Sequence, residues 1–210
     1  MKRLEELINN EQPGIKLVYE WIKEGDNQVE ILPPSDNAAA ILHSFQITTR
    51  SPMGAIVFET GGILVDEGWL RIRGSGCEKL PRSLNVDDHN QYGYVIVADD
   101  AVGGFFALNG GGLGEDLGNI YYAAPDTTEW EPLELGYSAF LSWTFTNKLS
   151  QFYEGLRWEN WKMDLKELQP NKCFGFYPFL RSKEGDVETA HREAVPVEET
   201  WNLRLKFMEL

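Results

Sequence analysis

Apolar residues in the first fifty positions repeat at helical spacing. A short stripe begins the chain, at Leu4, Leu7 and Ile8, and a longer one follows Pro13 and Gly14, at Ile15, Val18, Tyr19 and Ile22. Because residues three and four apart share one face of a helix, these stripes predict two helices. The run Ala38–Phe45 predicts a third helix, and the short apolar run Val29–Leu32, closed by two prolines, favours a strand.

From Gly54 onward the chain changes to short β-branched and aromatic runs bounded by glycine or aspartate. They read AIVFETGG, ILVDEGWLRIRGSG, YGYVIVADD, GFFALNG and NIYYAAP. We expect turns at residues 61–62, 74–76 and 99–104, which are spaced as a meander requires. The pattern therefore predicts one central antiparallel sheet of about five or six strands.

After Pro132 the aromatic and aliphatic residues return to helical spacing, which ends at Pro170. Residues 181–193 are polar and predict an exposed loop. Two interpretations stay open for residues 197–208. Acidic residues just after Pro196 resemble a helix start, whereas Trp201, Leu203, Leu205 and Phe207 alternate as in a strand.

These elements predict an α+β fold in a single domain over residues 1–210. Helices occupy residues 1–50, the middle part 51–135 is mainly β, and residues 136–210 are mainly helical. The central antiparallel sheet is thus expected to be flanked by helices from both ends of the chain. At 42% hydrophobic and 12% aromatic residues, the chain can build a large core.

The cysteines and the N-terminus bear on the compartment. Cys77 and Cys173 are too few for a disulfide framework and lack the spacing of a zinc site. The opening MKRLEELINN lacks the apolar run of a signal peptide, and no stretch reaches the roughly eighteen apolar residues of a membrane span. We therefore expect a cytoplasmic protein that makes no membrane contact.

The chain is strongly acidic, with 33 Asp and Glu against 19 Lys and Arg and a net charge of -14. Such a field repels a phosphate backbone, so nucleic acid is not an expected partner. The same field would speed the encounter with a basic protein, although acidity also serves solubility alone. The oligomeric state does not follow from the sequence.

Glycine makes up seven of the sixteen residues from 103 to 118. The spacing of Gly112, Gly114 and Gly118 has one residue too many for a dinucleotide-binding fingerprint, and Glu115 and Asp116 would repel phosphates. No nucleotide or other cofactor is predicted. The segment is better explained as a central hairpin and its turns.

No recognised spacing of catalytic or metal-binding residues occurs, so neither a catalytic residue nor a metal site is predicted. Asp99, Asp100, Glu115 and Asp116 cluster in segments that predict turns, where binding residues are common, and they are the candidate contacts for a basic partner.

Arg71 and Arg73 flank Ile72 in a predicted strand and should point to one face. They are the candidate pair for binding an anionic ligand. Exposure on a solvated strand face, or salt bridges to nearby acids, would explain them equally well.

Long blocks of the chain resemble the successive signatures of a bacterial family catalogued as domain of unknown function 2625. They are GGILVDEGWLRIRGSG, VADDAVGGFFALNGG, GNIYYAAPDTTEWEPLELGYSAFLSW and FYEGLRWENW. The resemblance covers nearly the whole chain. It implies no activity and no catalytic residues, because none is established for that family.

A more distant resemblance concerns the order of turns, strands and helix in residues 99–109, 118–122, 126–130 and 138–141, which is similar to the core of the SMI1/KNR4, or SUKH, superfamily. It implies an α+β fold and recognition rather than catalysis, since that superfamily includes immunity proteins that bind toxins directly. The chain departs from the pattern at Gly111, Gly112 and Gly114 and in the helical extension after Leu149.

Two functions are therefore expected from the sequence. The first is a non-catalytic module that binds a basic protein, such as a toxin. The alternative is an enzyme or small-molecule-binding protein with a pocket between the sheet and the helices.

Overall fold

A seven-stranded antiparallel sheet forms the centre of the computed structural model, which describes residues 1–208. The strands follow one another in space as they do in the chain, so the sheet is a simple meander. Its strands are β1 Val29–Leu32, β2 Gly62–Val65, β3 Leu70–Arg73, β4 Tyr94–Asp100, β5 Phe105–Asn109, β6 Asn119–Ala123 and β7 Glu131–Gly136. A separate antiparallel hairpin is formed by β8 Lys172–Tyr177 and β9 His191–Pro196.

Helices surround the sheet. They are α1 Leu4–Leu7, α2 Ile15–Glu24, α3 Ala38–Phe45, α4 Pro52–Glu59, α5 Val86–Tyr92, α6 Tyr137–Thr144, α7 Lys148–Phe152, α8 Trp161–Glu167 and α9 Val197–Met208, with a short 3-10 helix at Glu154–Leu156. The α+β architecture and the antiparallel sheet agree with the sequence prediction. The sheet has seven strands where five or six were expected.

Both faces of the sheet are covered, as the middle strand β4 illustrates by being buried along its whole length. On one face, Val95 and Val97 join the main core, which the N-terminal helices and α6 to α8 complete. On the other face, Tyr94 and Ile96 pack in a second cluster with residues of the β8–β9 hairpin and α9. The side chains alternate between the two layers because successive residues of a strand point to opposite faces.

One segment predicted as a strand is a helix. The run AIVFETGG supplies most of α4, which begins after Ser51. The Ser51 hydroxyl oxygen accepts a hydrogen bond from the backbone N–H of Gly54 at 3.1 Å, and Pro52 occupies the first helical position. Ala55, Ile56 and Val57 are all fully buried. A helix that is buried on all sides has apolar residues at consecutive positions, so its sequence lacks the spacing of three and four that indicates a helix.

Three strands were missed. β7 overlaps the end of the part predicted to be mainly β, but none of the predicted strands included it; it is the edge strand of the sheet, where proline is tolerated. The hairpin β8–β9 lies in the part predicted to be mainly helical, and β9 begins within the predicted exposed loop. Residues 197–208, which the sequence left open between helix and strand, form helix α9.

Candidate functional site

Asp99 lies at the centre of a buried ion cluster at the end of β4. Arg71 is opposite it on β3, with its Nε 2.7 Å from Asp99 Oδ1. Arg82 approaches both carboxylate oxygens at 2.9 Å, and Arg73 is 3.4 Å from Oδ2. Burial by itself raises the pKa of Asp99, but the three guanidinium groups together outweigh it and hold the pKa well below its usual value.

Arg71 and Arg73 do share one face, as expected, and both pair with Asp99. Arg71 is 4% exposed, and its Nη1 and Nη2 donate to the carbonyl oxygens of Lys172 and Asp100, both at 2.7 Å. Both terminal nitrogens thus have carbonyl acceptors, and Nε takes part in the salt bridge with Asp99. Of the interpretations left open for this pair, the geometry favours salt bridges over exposure on a solvated strand face.

Asp100 is also fully buried, but it meets neutral donors. Its Oδ1 accepts the backbone N–H groups of Val102 and Gly104, at 3.0 and 2.7 Å. Its Oδ2 accepts the hydroxyls of Tyr122 and Tyr153, at 2.7 and 2.9 Å. Burial raises the pKa of Asp100, and these hydrogen bonds act in the opposite direction.

The prediction that Asp99 and Asp100 lie in a turn is therefore wrong. Both are the last residues of β4, and the turn begins only at Ala101. Each carboxylate has its own set of interior partners, and this explains how two adjacent acids can be buried.

Glu115 and Asp116 lie elsewhere, in the loop of residues 110–118 that connects β5 and β6. Glu115 is exposed, and Asp116 is partly buried. Asp116 Oδ1 accepts a hydrogen bond from the Tyr121 hydroxyl at 2.6 Å. This bond is the largest of the contributions that lower the pKa of Asp116. The six predicted residues thus lie in two places. Arg71, Arg73, Asp99 and Asp100 lie close together on β3 and β4, with largely buried side chains, and Glu115 and Asp116 lie in this loop.

The side chain of Asn109 organises the loop. It is 1% exposed, and its Oδ1 accepts the backbone N–H groups of Gly111 and Leu113, at 2.8 and 3.1 Å. Its Nδ2 donates to the carbonyl oxygen of Gly114 at 3.0 Å. One side chain therefore fixes the loop from inside.

A cavity of about 630 Å³ lies between α9, the β8–β9 hairpin and residues 125–128. Its apolar wall includes Val102, Phe174, Phe176, Leu180, Leu203 and Phe207. Arg204, which also lines it, is 8% exposed. The sequence did not indicate this site, because its walls come from the missed hairpin and from the helix whose type was left open.

Other candidate chemistry is sparse within residues 1–208. No group of three or more His, Cys, Asp or Glu side chains there has the arrangement of a metal site. Cys173 is buried beside Thr200, with its sulfur 3.3 Å from the hydroxyl oxygen, and Cys77 is partly exposed. No helix of the described chain has the length and apolar character needed to cross a bilayer.

Comparisons with known proteins identify the family. Residues 4–200 match the family model described as protein of unknown function DUF2625. The putative uncharacterized protein YbfG of Escherichia coli K12 is 41% identical over 214 residues, which cover 100% of this chain and 98% of that protein. An uncharacterized protein of Haemophilus influenzae is 38% identical over 208 residues, covering 94% of this chain and 91% of the relative. No solved structure matches. The chain belongs to the DUF2625 family.

Proposed function

We propose that the protein is a non-catalytic binding module that recognises a basic protein, such as a toxin, through the loop of residues 110–118. The proposal includes a SUKH-like core, formed by β4 to β6 and α6, because the resemblance to that superfamily lies in these elements. Recognition rather than catalysis is the mode of action that such a core implies. Glu115, with Asp116 behind it, would meet the cations of the partner.

The observation that carries the proposal is the fixed shape of the loop. Besides the hydrogen bonds of Asn109, the backbone N–H groups of Gly110 and Gly112 donate to the carbonyl oxygen of Gly93, at 2.8 and 2.9 Å. Gly112 is packed so closely that a Cβ there would collide with the carbonyl oxygen of Tyr92. A loop that is ordered before binding loses little entropy in a complex.

The loop presents a suitable pair of side chains. Leu117 is 69% exposed, and Glu115 is exposed two residues before it. An apolar side chain beside a charge is a common composition for a protein contact, since the apolar group contributes burial and the charge contributes steering.

The distribution of charge supports the same partner. Five arginines have largely buried side chains, namely Arg71, Arg73, Arg82, Arg157 and Arg204. Among residues 1–208, only three acids are buried, namely Asp66, Asp99 and Asp100. The surface therefore carries an even larger excess of negative charge than the composition indicates, and this excess attracts a basic protein.

The test is a comparison of matched variants in partner capture from the native host, followed by reconstitution with the purified partner. Glu115→Gln combined with Leu117→Ala should lose a basic protein that the wild type retains. Binding of that protein to the wild type should weaken as salt rises, because attraction between exposed charges is screened.

The matched control combines Glu154→Gln with Met163→Ala. Glu154 is exposed, and Met163 is 69% exposed, as Leu117 is, but neither belongs to the loop. This control should bind as the wild type does. The proposal fails if the wild type retains no basic protein that the loop variant loses, or if the control variant loses it equally.

A second candidate function, the binding of a small molecule, is favoured by the cavity that Arg204 lines.

A further inference from the structure

The cavity beside α9 has the size of a small-molecule site. Its volume of about 630 Å³ falls inside the range of roughly 300–1,000 Å³ that is usual for ligand pockets. Among the residues that helix α9 contributes to it are Thr200, Leu203, Arg204 and Phe207. These residues lie on one face, because positions three, four and seven apart coincide on a helix.

Arg204 is the unusual member of the lining. Its Nη2 donates to the carbonyl oxygen of Ala124, but its Nη1 is buried and has no hydrogen-bond partner among residues 1–208. No Asp or Glu oxygen of the described chain lies within 4.0 Å of the guanidinium, although Arg71, Arg73, Arg82 and Arg157 all have such a partner.

A buried guanidinium without a carboxylate is costly. Desolvation lowers the pKa of Arg204, yet an arginine keeps its proton under these conditions. Buried charges are normally paired, and a buried donor that lacks an acceptor loses its hydration without compensation. An acceptor supplied from the cavity would remove this penalty.

The rest of the lining indicates what the ligand carries besides that acceptor. The apolar walls can bury a hydrocarbon or aromatic body. At the edge, Arg181 is exposed and lies over the ring of Phe207, with its guanidinium carbon 3.6 Å from the ring centroid. Among the exposed lining residues, Glu193 and Glu199 balance the charges of Arg181 and Lys206, so the rim has no net positive charge to attract a strongly anionic ligand.

We infer that this cavity binds a small monocarboxylate with an apolar body, whose carboxylate pairs with Arg204 after the guanidinium turns toward the cavity. A guanidinium presents parallel N–H donors that match the two oxygens of a carboxylate. A phosphate monoester is a poorer match, because the acids Glu193 and Glu199 already offset the rim cations Arg181 and Lys206 and leave no positive charge there for its second negative charge. The site is separate from the loop of residues 110–118, so it stands or falls independently of the proposed protein binding.

Calorimetric titration with octanoate and decanoate tests the inference, with octanol, decanol and octyl phosphate as comparison probes. The wild type should bind each acid more tightly than the alcohol of equal length, and octanoate more tightly than octyl phosphate. Equal binding of acid and alcohol would overturn the inference, as would the absence of acid binding.

Two variants locate the binding. Arg204→Met should weaken octanoate binding at least about tenfold and remove the preference for acid over alcohol, since charge-assisted hydrogen bonds contribute at least that much. Leu203→Glu should also weaken acid binding, because it places a negative charge on the cavity wall. Leu203 is 40% exposed, so this change does not disturb a core position even if Arg204→Met folds poorly.

The matched control is Leu17→Glu. Leu17 is likewise 40% exposed and helical, but it lies on α2 and does not line the cavity. This variant adds the same charge and should bind octanoate as the wild type does. The inference is overturned if Leu17→Glu weakens binding as much as Leu203→Glu, or if folded Arg204→Met keeps its preference for the acid.

Discussion

Asp99→Asn should destabilise the protein strongly although it barely changes the size of the side chain. The carboxylate is fully buried and holds Arg71 at 2.7 Å, Arg82 at 2.9 Å and Arg73 at 3.4 Å. An amide cannot neutralise these groups. The substitution would therefore leave three guanidinium groups close together in the interior without the charge that compensates them.

The magnitude follows from the burial of the cluster. Removing one partner of a buried ion pair typically costs about 3–5 kcal/mol. We expect that range rather than three such costs, because the side chains of Arg73 and Arg82 are still 12% and 10% exposed and can be partly hydrated. With a urea m-value of about 3 kcal/mol/M, the midpoint of unfolding should fall by about 1–1.7 M.

Asp100→Asn is the matched control, one residue along and equally buried. Its carboxylate accepts from two backbone N–H groups and from the hydroxyls of Tyr122 and Tyr153. An amide oxygen can still accept from the backbone, and the amide N–H groups can donate to the tyrosines. We expect a loss below about 1.5 kcal/mol, the typical net contribution of one hydrogen bond.

The dependence on pH should also separate the two acids. The pKa of Asp99 is lowered in the folded state, so its stabilising contribution is present above the unfolded value near 3.8 and is lost as pH falls toward the folded pKa. The pKa of Asp100 is raised, so its contribution is present at low pH and is lost as pH rises through the folded value. Asp99→Asn should therefore remove part of the sensitivity to acid.

Urea unfolding followed by tryptophan fluorescence, at neutral pH and at several acidic values, measures both effects. The reasoning is refuted if Asp99→Asn and Asp100→Asn have the same midpoint at neutral pH. It is also refuted if Asp99→Asn loses less than about 1 kcal/mol, since that would mean that the arginines do not depend on the carboxylate.

Two further outcomes are expected from buried side chains. Asn109→Ala should release the loop of residues 110–118 and lower the free energy of unfolding by about 1–3 kcal/mol, because two backbone donors lose their acceptor. Limited proteolysis of this variant should then cut within the loop, and a variant that stays uncut would contradict the prediction. Burial raises the pKa of Cys173 to about 11, so a thiol reagent near pH 8 should label Cys77 alone in the folded protein and both cysteines in denaturant; native labelling of Cys173 would show that the interior opens.

The sheet could be predicted because its strands have clear local signals. Between residues 62 and 123, apolar runs alternate with glycine and aspartate turns, and β2 to β6 follow in that order. The error at α4 has a physical cause, since a helix buried on all sides has the same apolar run as a buried strand. The hairpin β8–β9 was missed because β9 is largely exposed and polar, so it lacks the alternation that indicates a strand.

The sites depend on information that a single sequence holds less visibly. That Arg71 and Arg73 share a face follows from strand geometry alone. That Arg71 meets Asp99 requires the register of β3 against β4, and the approach of Arg82 comes from a segment without regular structure. Nothing in the local pattern distinguishes Arg204, with no carboxylate partner among residues 1–208, from the other arginines.

The buried ion cluster and the cavity are connected through the β8–β9 hairpin. Arg71 donates to the carbonyl oxygen of Lys172 at 2.7 Å, and Arg82 donates to that of Pro170 at 2.9 Å, so the cluster around Asp99 holds the start of β8 against the sheet. Two residues on, the backbone N–H of Phe174 donates to the carbonyl oxygen of Ala101 at 2.7 Å, and Phe174 lines the cavity. The cations that bind Asp99 therefore do not serve a ligand directly. They fix one wall of the cavity. The guanidinium that would meet a ligand there is that of Arg204, which has no carboxylate partner among residues 1–208.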